Sequence, residues 1–293
     1  MHKALLYEKK KGGEIRCNLC NQHCIIPKNK RGLCGVRENR KGELNALTYG
    51  KVIAKNIDPI EKKPFYHFMP GTLSFSIATV GCNFRCLYCQ NADISQISKE
   101  EPEDVEIIGE DLSPEEVISR ARENNCPSIS YTYTEPTIFL EYALDCMKKA
   151  KENKIKNAWV SNGYMTKEAI DMIDPYLDAI NIDLKSFNNN FYKKTCGATL
   201  NPVLENIKEF KKRNIWLEIT TLLIPQKNDS EEEIKRIAKF IKKETGRETP
   251  WHISAFYPTY KMKDTPPTPR ETIERAVEIG KQNKLKNVYP GNI

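Results

Sequence analysis

No run of this chain is long and apolar enough to cross a bilayer, which excludes a helical membrane protein. Its opening, Met-His-Lys-Ala-Leu-Leu-Tyr-Glu, is charged too soon to serve as a secretory leader, so the expected setting is cytoplasmic. A basic stripe with interleaved aromatics is also lacking. The 46 Lys and Arg against 39 Asp and Glu leave a net charge of +7, but the excess is spread through mixed runs such as 231–243 that read as solvated helix faces. That pattern gives no reason to expect a nucleic-acid partner. Ten cysteines in a reducing compartment point to metal work rather than disulfides. With 39% hydrophobic residues, 293 residues bury a sizeable core, as one large domain or a large domain with a small one.

The most telling absence is local. Cys82, Cys86 and Cys89 stand in Thr-Val-Gly-Cys-Asn-Phe-Arg-Cys-Leu-Tyr-Cys-Gln-Asn, directly after the apolar run Phe75 to Val80, and the next cysteine is Cys126. A 4Fe-4S cluster takes four thiolates. Three in a tight C-x3-C-x2-C loop leave one iron open to a ligand that is not protein. Zinc, the other reading of a C-x2-C pair, wants a closed tetrahedral shell, and nothing near Cys89 completes one.

Around this loop, apolar runs alternate with helix-period segments. Strands are expected at Phe75 to Thr79, Ser128 to Tyr133, Ala158 to Ser161, Ala179 to Leu184, Trp216 to Thr221 and Trp251 to Phe256. Ser113-Pro114-Glu115-Glu116 and Thr268-Pro269-Arg270-Glu271 both read as capped helix starts with proline at the first helical position. Ile234, Ile237, Ala238 and Ile241 share one helix face, as do Ile273, Ala276, Val277 and Gly280. Strand-helix alternation predicts an α/β fold on a parallel sheet, and six units make a partial barrel rather than a closed eight-stranded one. Ligands in such sheets sit at the carboxyl ends of the strands, where the cysteine loop falls.

Cys17, Cys20, Cys24 and Cys34 form a second group with four ligands, a closed site for zinc or for an auxiliary iron-sulfur cluster, with zinc ahead because the shell is complete. Gly32 and Gly35 flank Cys34 and permit tight turns there. His23 is expected beside this site or on the surface. Cys126 and Cys146 read as small buried hydrophobes, and Cys196 as a candidate to face a substrate cavity or donate a hydrogen atom. His252 reads as a core histidine that also borders the cavity.

These features together carry a resemblance. The N-terminal cysteines, Ile57-Asp58-Pro59-Ile60-Glu61-Lys62-Lys63-Pro64, Pro70-Gly71, the cysteine loop running into Gln90-Asn91, Asn181-Ile182-Asp183-Leu184-Lys185 and Cys196-Gly197-Ala198 resemble the radical S-adenosylmethionine (SAM) enzyme of the AmmeMemoRadiSam system, a group close to the pyruvate formate-lyase activating enzymes. The resemblance implies a partial (β/α)6 radical SAM barrel at 71–293 behind a small cysteine-rich, metal-binding extension at 1–70. It implies a 4Fe-4S cluster on Cys82, Cys86 and Cys89 whose open iron binds SAM, and reductive cleavage to a 5′-deoxyadenosyl radical that takes hydrogen from an unidentified small-molecule or protein substrate. A reductant such as flavodoxin or ferredoxin follows as partner. SAM contacts are implied at Tyr88, at Thr134 and Glu135 in the turn where the family has Gly-Gly-Glu-Pro, at Ser161 and Asn162, at Asp183, Leu184 and Lys185, and at Tyr257, which stands where activating enzymes carry a histidine. Relatives continue past Tyr-Pro-Gly-Asn with a tail holding another cysteine pair. The leading alternative is activation of a glycyl-radical enzyme. A non-catalytic iron-sulfur or zinc protein, an electron carrier or scaffold, is the third reading.

Overall fold

The computed structural model describes residues 2–100 and 106–293. All six expected strands form: Leu73–Ala78, Ser128–Tyr131, Lys156–Ser161, Ala179–Asp183, Trp216–Leu223 and Trp251–Ala255 lie side by side in chain order, every pair parallel. Two further strands flank them. Val288–Gly291 adds a parallel neighbour to Trp251–Ala255, and Ala54–Pro59 pairs antiparallel with Leu73–Ala78, placing Ala54 opposite Ala78. Neither is legible as a strand: Ala-Lys-Asn-Ile-Asp-Pro has no apolar alternation, and Val-Tyr-Pro-Gly holds two residues that strands disfavour. These outer strands are not hydrogen-bonded to one another, so the α/β sheet is an open partial barrel.

Helices cover its outer face. Pro114–Glu123 starts on the expected capping box: the Glu116 N–H donates to Ser113 Oγ at 3.3 Å while Glu116 Oε2 accepts from the Ser113 N–H at 2.7 Å. Arg270–Gln282 does not. Its N-cap is Pro269 without a side-chain cap, because the Thr268 hydroxyl instead donates to the Leu223 carbonyl (2.7 Å) and accepts from the Phe256 N–H (3.0 Å), tying together the ends of two strands. On Glu231–Glu244 the buried residues include Ile234, Ile237, Ala238 and Ile241, as the spacing requires. Each fully buried isoleucine contributes about 1.5–3 kcal/mol of hydrophobic stabilisation.

The connection between Ala54–Pro59 and Leu73–Ala78 plugs the amino-terminal mouth of the barrel. Ile60, Phe65 and Phe68 pack on Ala158, Ala179 and Val160, where small alanines make room for the Phe65 ring. Polar contacts lock the plug: Asn181 Nδ2 donates to the Pro64 carbonyl (2.8 Å), and Glu218 accepts from the Tyr66 and His67 N–H groups (3.1 and 3.0 Å). Among the described residues the carboxyl-terminal mouth, where the cysteine loop lies, stays open. Residues 2–52 build small antiparallel sheets against that side, with Cys20 bridging to Met165. Among the described residues no helix is long and apolar enough to cross a membrane.

Candidate active site

The loop after Leu73–Ala78 is held from several sides. Gly81 takes φ +99°, and a Cβ there would lie 2.8 Å from Val36 Cγ1 and 2.9 Å from the Cys34 carbonyl oxygen, so the close approach requires glycine. From behind, the Arg85 and Leu87 N–H groups donate to the carbonyls of Cys196 (2.8 Å) and Thr195 (3.0 Å), and Gln96 Nε2 and Lys99 Nζ both donate to the Phe84 carbonyl. Cys82, Cys86 and Cys89 thereby line one cavity of about 960 Å³, and among the described residues no other cysteine does. The Phe84 N–H points at Cys82 Sγ (3.3 Å), and Ser95 Oγ lies 3.0 Å from Cys89 Sγ. Burial pushes the Cys82 thiol up to about 12 and raises that of Cys89.

The same cavity collects the polar strand ends. Glu135 is 1% exposed: Oε1 accepts from the Thr137 N–H (3.1 Å), Thr137 Oγ1 (2.6 Å) and Ser161 Oγ (2.8 Å), and Oε2 from the Asn162 N–H (2.8 Å). Burial nevertheless holds its carboxyl above the ordinary value, against those hydrogen bonds. Asn162 Nδ2 donates to Asn83 Oδ1 (2.7 Å), and Thr134 Oγ1 to the Thr79 carbonyl (2.8 Å). Lys185 Nζ meets Asp183 Oδ2 at 3.0 Å; burial disfavours the ammonium, but the charge and hydrogen bond of Asp183 together with the neighbouring Cys86 and Cys196 sulfurs outweigh it and keep the lysine protonated. Tyr88, 4% exposed, also lines the wall, with Lys185 Nζ 5.9 Å from its ring centroid.

Three expected residues are placed elsewhere. Tyr257 is 52% exposed and its hydroxyl donates to the Asn292 carbonyl (3.1 Å), outside the cavity wall, because the strand ends at Ala255. The Leu184 side chain is fully buried in the core rather than on the wall, the alternation that sends Asp183 and Lys185 inward turning it away. Cys196 is wholly buried behind the loop, 3.6 Å from Tyr88 Oη, and does not face the cavity. Where the family has glycine, Tyr133 itself adopts the left-handed φ of +63°. Its carbonyl accepts from Asn91 Nδ2 (2.7 Å) and its hydroxyl donates to Asp58 Oδ2 (2.9 Å), contacts that hold a conformation disfavoured for tyrosine.

The wall also carries a residue that sequence reasoning gave no site role. Lys63, 4% exposed, donates to Asp58 Oδ2 (2.8 Å) and Tyr133 Oη (2.9 Å). In Glu61-Lys62-Lys63 it reads as a surface charge, and only its presence in the Ile57 to Pro64 segment marked it. His252 borders the cavity and bonds Glu218 Oε2 through Nε2 at 2.7 Å. The four N-terminal cysteines line a second, separate cavity. Among the described residues no three His, Cys, Asp or Glu side chains stand already closed about the position of a single metal ion.

Comparison with known proteins agrees with this geometry. An uncharacterized protein of Methanocaldococcus jannaschii is 48% identical over 293 residues, all of this chain and 86% of that protein. The pyruvate formate-lyase 1-activating enzyme of Escherichia coli is 25% identical over 222 residues, 71% of this chain and 89% of that enzyme. In fold, the crystal structure of Streptococcus suis SuiB bound to S-adenosylmethionine superposes with a TM-score of 0.56 at 14% identity, covering 76% of this chain and 52% of that one. The family model of the radical SAM superfamily matches residues 76–241, more than half of the sequence, from within the strand Leu73–Ala78 into the helix Glu231–Glu244, and by that match the chain belongs to the radical SAM superfamily.

Proposed function

We propose that this protein reductively cleaves SAM at a 4Fe-4S cluster held by Cys82, Cys86 and Cys89, and uses the resulting radical to take hydrogen from an unidentified substrate. The observation that carries this reading is that three thiols share one cavity wall with Glu135, Asp183 and Lys185. The donor set fits an iron-sulfur group: soft thiols too buried to ionise alone become thiolates against a positive metal centre, and donors from Phe84 N–H and Ser95 Oγ already stand beside their sulfurs. When bound, the cluster and SAM supply one-electron cleavage of a sulfonium carbon–sulfur bond, giving methionine and a 5′-deoxyadenosyl radical.

The chain's own residues bind and orient. The Glu135 carboxylate accepts from the methionyl ammonium, and Lys185, steadied by Asp183, pairs with the methionyl carboxylate. Ser161, Asn162 and Thr134 offer hydroxyl and amide groups to the ribose, and Tyr88 packs beside the adenine. The Phe65 plug keeps water from entering through the barrel floor. The residues from the N-terminal cysteines to Cys196-Gly197-Ala198 support assignment to the AmmeMemoRadiSam type, with the chain divided into 1–70 and 71–293, the first part lending the strand Ala54–Pro59 to the barrel. An external flavodoxin- or ferredoxin-like donor supplies the electron. A second reading, activation of a glycyl-radical enzyme, is favoured by the similarity to the Escherichia coli activating enzyme.

Anaerobically reconstituted protein is expected to bind about four irons at the loop and to form deoxyadenosine from SAM under reduction. Changing Cys82, Cys86 or Cys89 to alanine abolishes that product; retained cleavage in all three single variants overturns the assignment. Deuterium traced into deoxyadenosine from labelled small molecules or from a labelled glycyl-radical protein separates the two readings.

A further inference from the structure

The N-terminal cysteines enclose a place of their own. Cys17 ends the strand Ile15–Cys17, Cys24 precedes Ile25–Ile26, and with Cys20 and Cys34 they line one small cavity of about 20 Å³. The backbone there is folded tightly. The Cys17 N–H donates to the Cys24 carbonyl (2.9 Å), the His23 N–H to the Cys20 carbonyl (3.1 Å), and His23 takes a left-handed φ of +45°. A Cβ on Gly32 would stand 3.7 Å from both Cβ and Sγ of Cys24 and 3.1 Å from Ile26 Cδ1, so a side chain there would crowd the cradle.

Two buried donors on the wall of this cavity make no hydrogen bond: Arg37 Nε and Asn83 Nδ2. Arg37, 1% exposed, commits its other nitrogens elsewhere, Nη1 to Glu141 Oε2 (2.9 Å) and Nη2 to Glu141 Oε1 (2.8 Å) and the Leu5 carbonyl (2.9 Å). Asn83, 2% exposed, already uses its Oδ1 as acceptor for Asn162. An unpaired buried donor is destabilising. Two of them beside four sulfurs point to acceptors more strongly negative than neutral thiols.

We infer that Cys17, Cys20, Cys24 and Cys34 bind a single zinc ion as a tetrathiolate, with Arg37 Nε and Asn83 Nδ2 donating to the ligand sulfurs. The room between the cysteines as they stand favours an ion over an auxiliary cluster. A cavity of about 20 Å³ holds about one water-sized sphere, whereas a cubane of irons and sulfides is several times larger. Four thiolates with no open position are the donor set of structural zinc, and the net negative charge of such a site calls for hydrogen bonds of this kind around it. As the side chains stand the sulfurs are not closed about a point. Binding the ion therefore requires the thiol side chains to turn inward about χ1, from one staggered well to another. The ion lies where it steadies the catalytic loop: Asn83 follows Cys82, Gln22 Nε2 donates to the Asn83 carbonyl (2.9 Å), and Ser98 Oγ donates to the Cys34 carbonyl (3.2 Å).

The test is elemental analysis and cobalt substitution of the full-length protein, run on the unmutated chain and on the Cys82→Ala, Cys86→Ala, Cys89→Ala triple variant. The expected result is about one zinc per chain in both, replaced by cobalt with the d–d bands of a tetrahedral tetrathiolate, and lost in Cys17→Ser and Cys34→Ser. Absence of zinc and of cobalt binding overturns the inference, as does iron with sulfide in the triple variant, which would mean a second cluster. Should the Cys17 and Cys34 variants fail to fold, the unmutated chain and the triple variant decide the question.

Discussion

Glutamine in place of Glu135 separates the residue's two jobs, organising the strand ends and meeting a cation. The carboxylate accepts four hydrogen bonds, three on Oε1 and one on Oε2. Glutamine keeps the size but turns one acceptor into an NH2 group. In the better of its two orientations that group opposes only the Asn162 N–H, at a cost of about 1.5–3 kcal/mol for one lost bond to a charged group. Burial offsets part of this, because it holds the Glu135 carboxyl above its ordinary value and the neutral amide relieves that penalty. The thermal midpoint therefore moves less than the lost bond alone predicts.

SAM affinity has no such compensation. Losing a charge-assisted contact to the ammonium costs about 1.5–3 kcal/mol, roughly ten- to a hundredfold in Kd. The pH dependence follows with a definite sign. A carboxyl raised in the folded state contributes most to stability when protonated, and that contribution is lost as pH rises from the ordinary value of 4.5 through the folded one. SAM needs the carboxylate, so affinity rises over the same window, and Glu135→Gln removes the rise. Iron content and SAM titrations at several pH values are the assay. Full iron content with unchanged affinity and unchanged pH dependence would refute the reasoning.

Three further changes probe other contacts. Lys185→Met leaves Asp183 without its 3.0 Å partner and is expected to weaken SAM binding about ten- to a hundredfold with iron retained; a titration equal to the unmutated protein contradicts the pairing. Glu141→Gln strands the buried Arg37 guanidinium at a cost of about 3–5 kcal/mol, measured by urea unfolding at neutral pH, where a loss below about 1 kcal/mol counts against a buried charge pair. Burial raises the Glu141 carboxyl, but the Arg37 charge and the hydrogen bonds from Arg37 and the Leu5 N–H together outweigh it and hold the group below 4.5, so its contribution is present above that value and lost as pH falls through the lower folded one; the variant should lack that acid-sensitive step. Gly81→Ala forces a Cβ against Val36 and the Cys34 carbonyl at a left-handed φ, a strain of about 1–3 kcal/mol, and is expected to loosen the cysteine loop so that iron is lost on gel filtration; iron retention and melting like the unmutated protein would show that the contact yields freely.

Much of this architecture is local chemistry and therefore legible in the chain. The six barrel strands are short apolar runs, the cluster loop is three cysteines within eight positions, and the Ser113 box closes over three residues. Where a local signal competed with a distant partner it misled, as at Thr268, whose hydroxyl serves the strand ends instead of its helix. The polar strand Ala54–Pro59 exists only because Leu73–Ala78 offers it an edge.

The sequence by itself determined the loop spacing, the open coordination it implies and the alternation that builds a parallel sheet, because each depends on neighbours fixed by covalent connection. Tertiary structure decided which polar groups meet. Tyr133 reaches Asp58 across 75 positions and Arg37 reaches Glu141 across 104. It also removed Tyr257 and Cys196 from the cavity and set Arg37 and Asn83 beside the N-terminal cysteines, since strand order and the burial of unpaired donors are properties of the packed chain and leave no periodic trace along it.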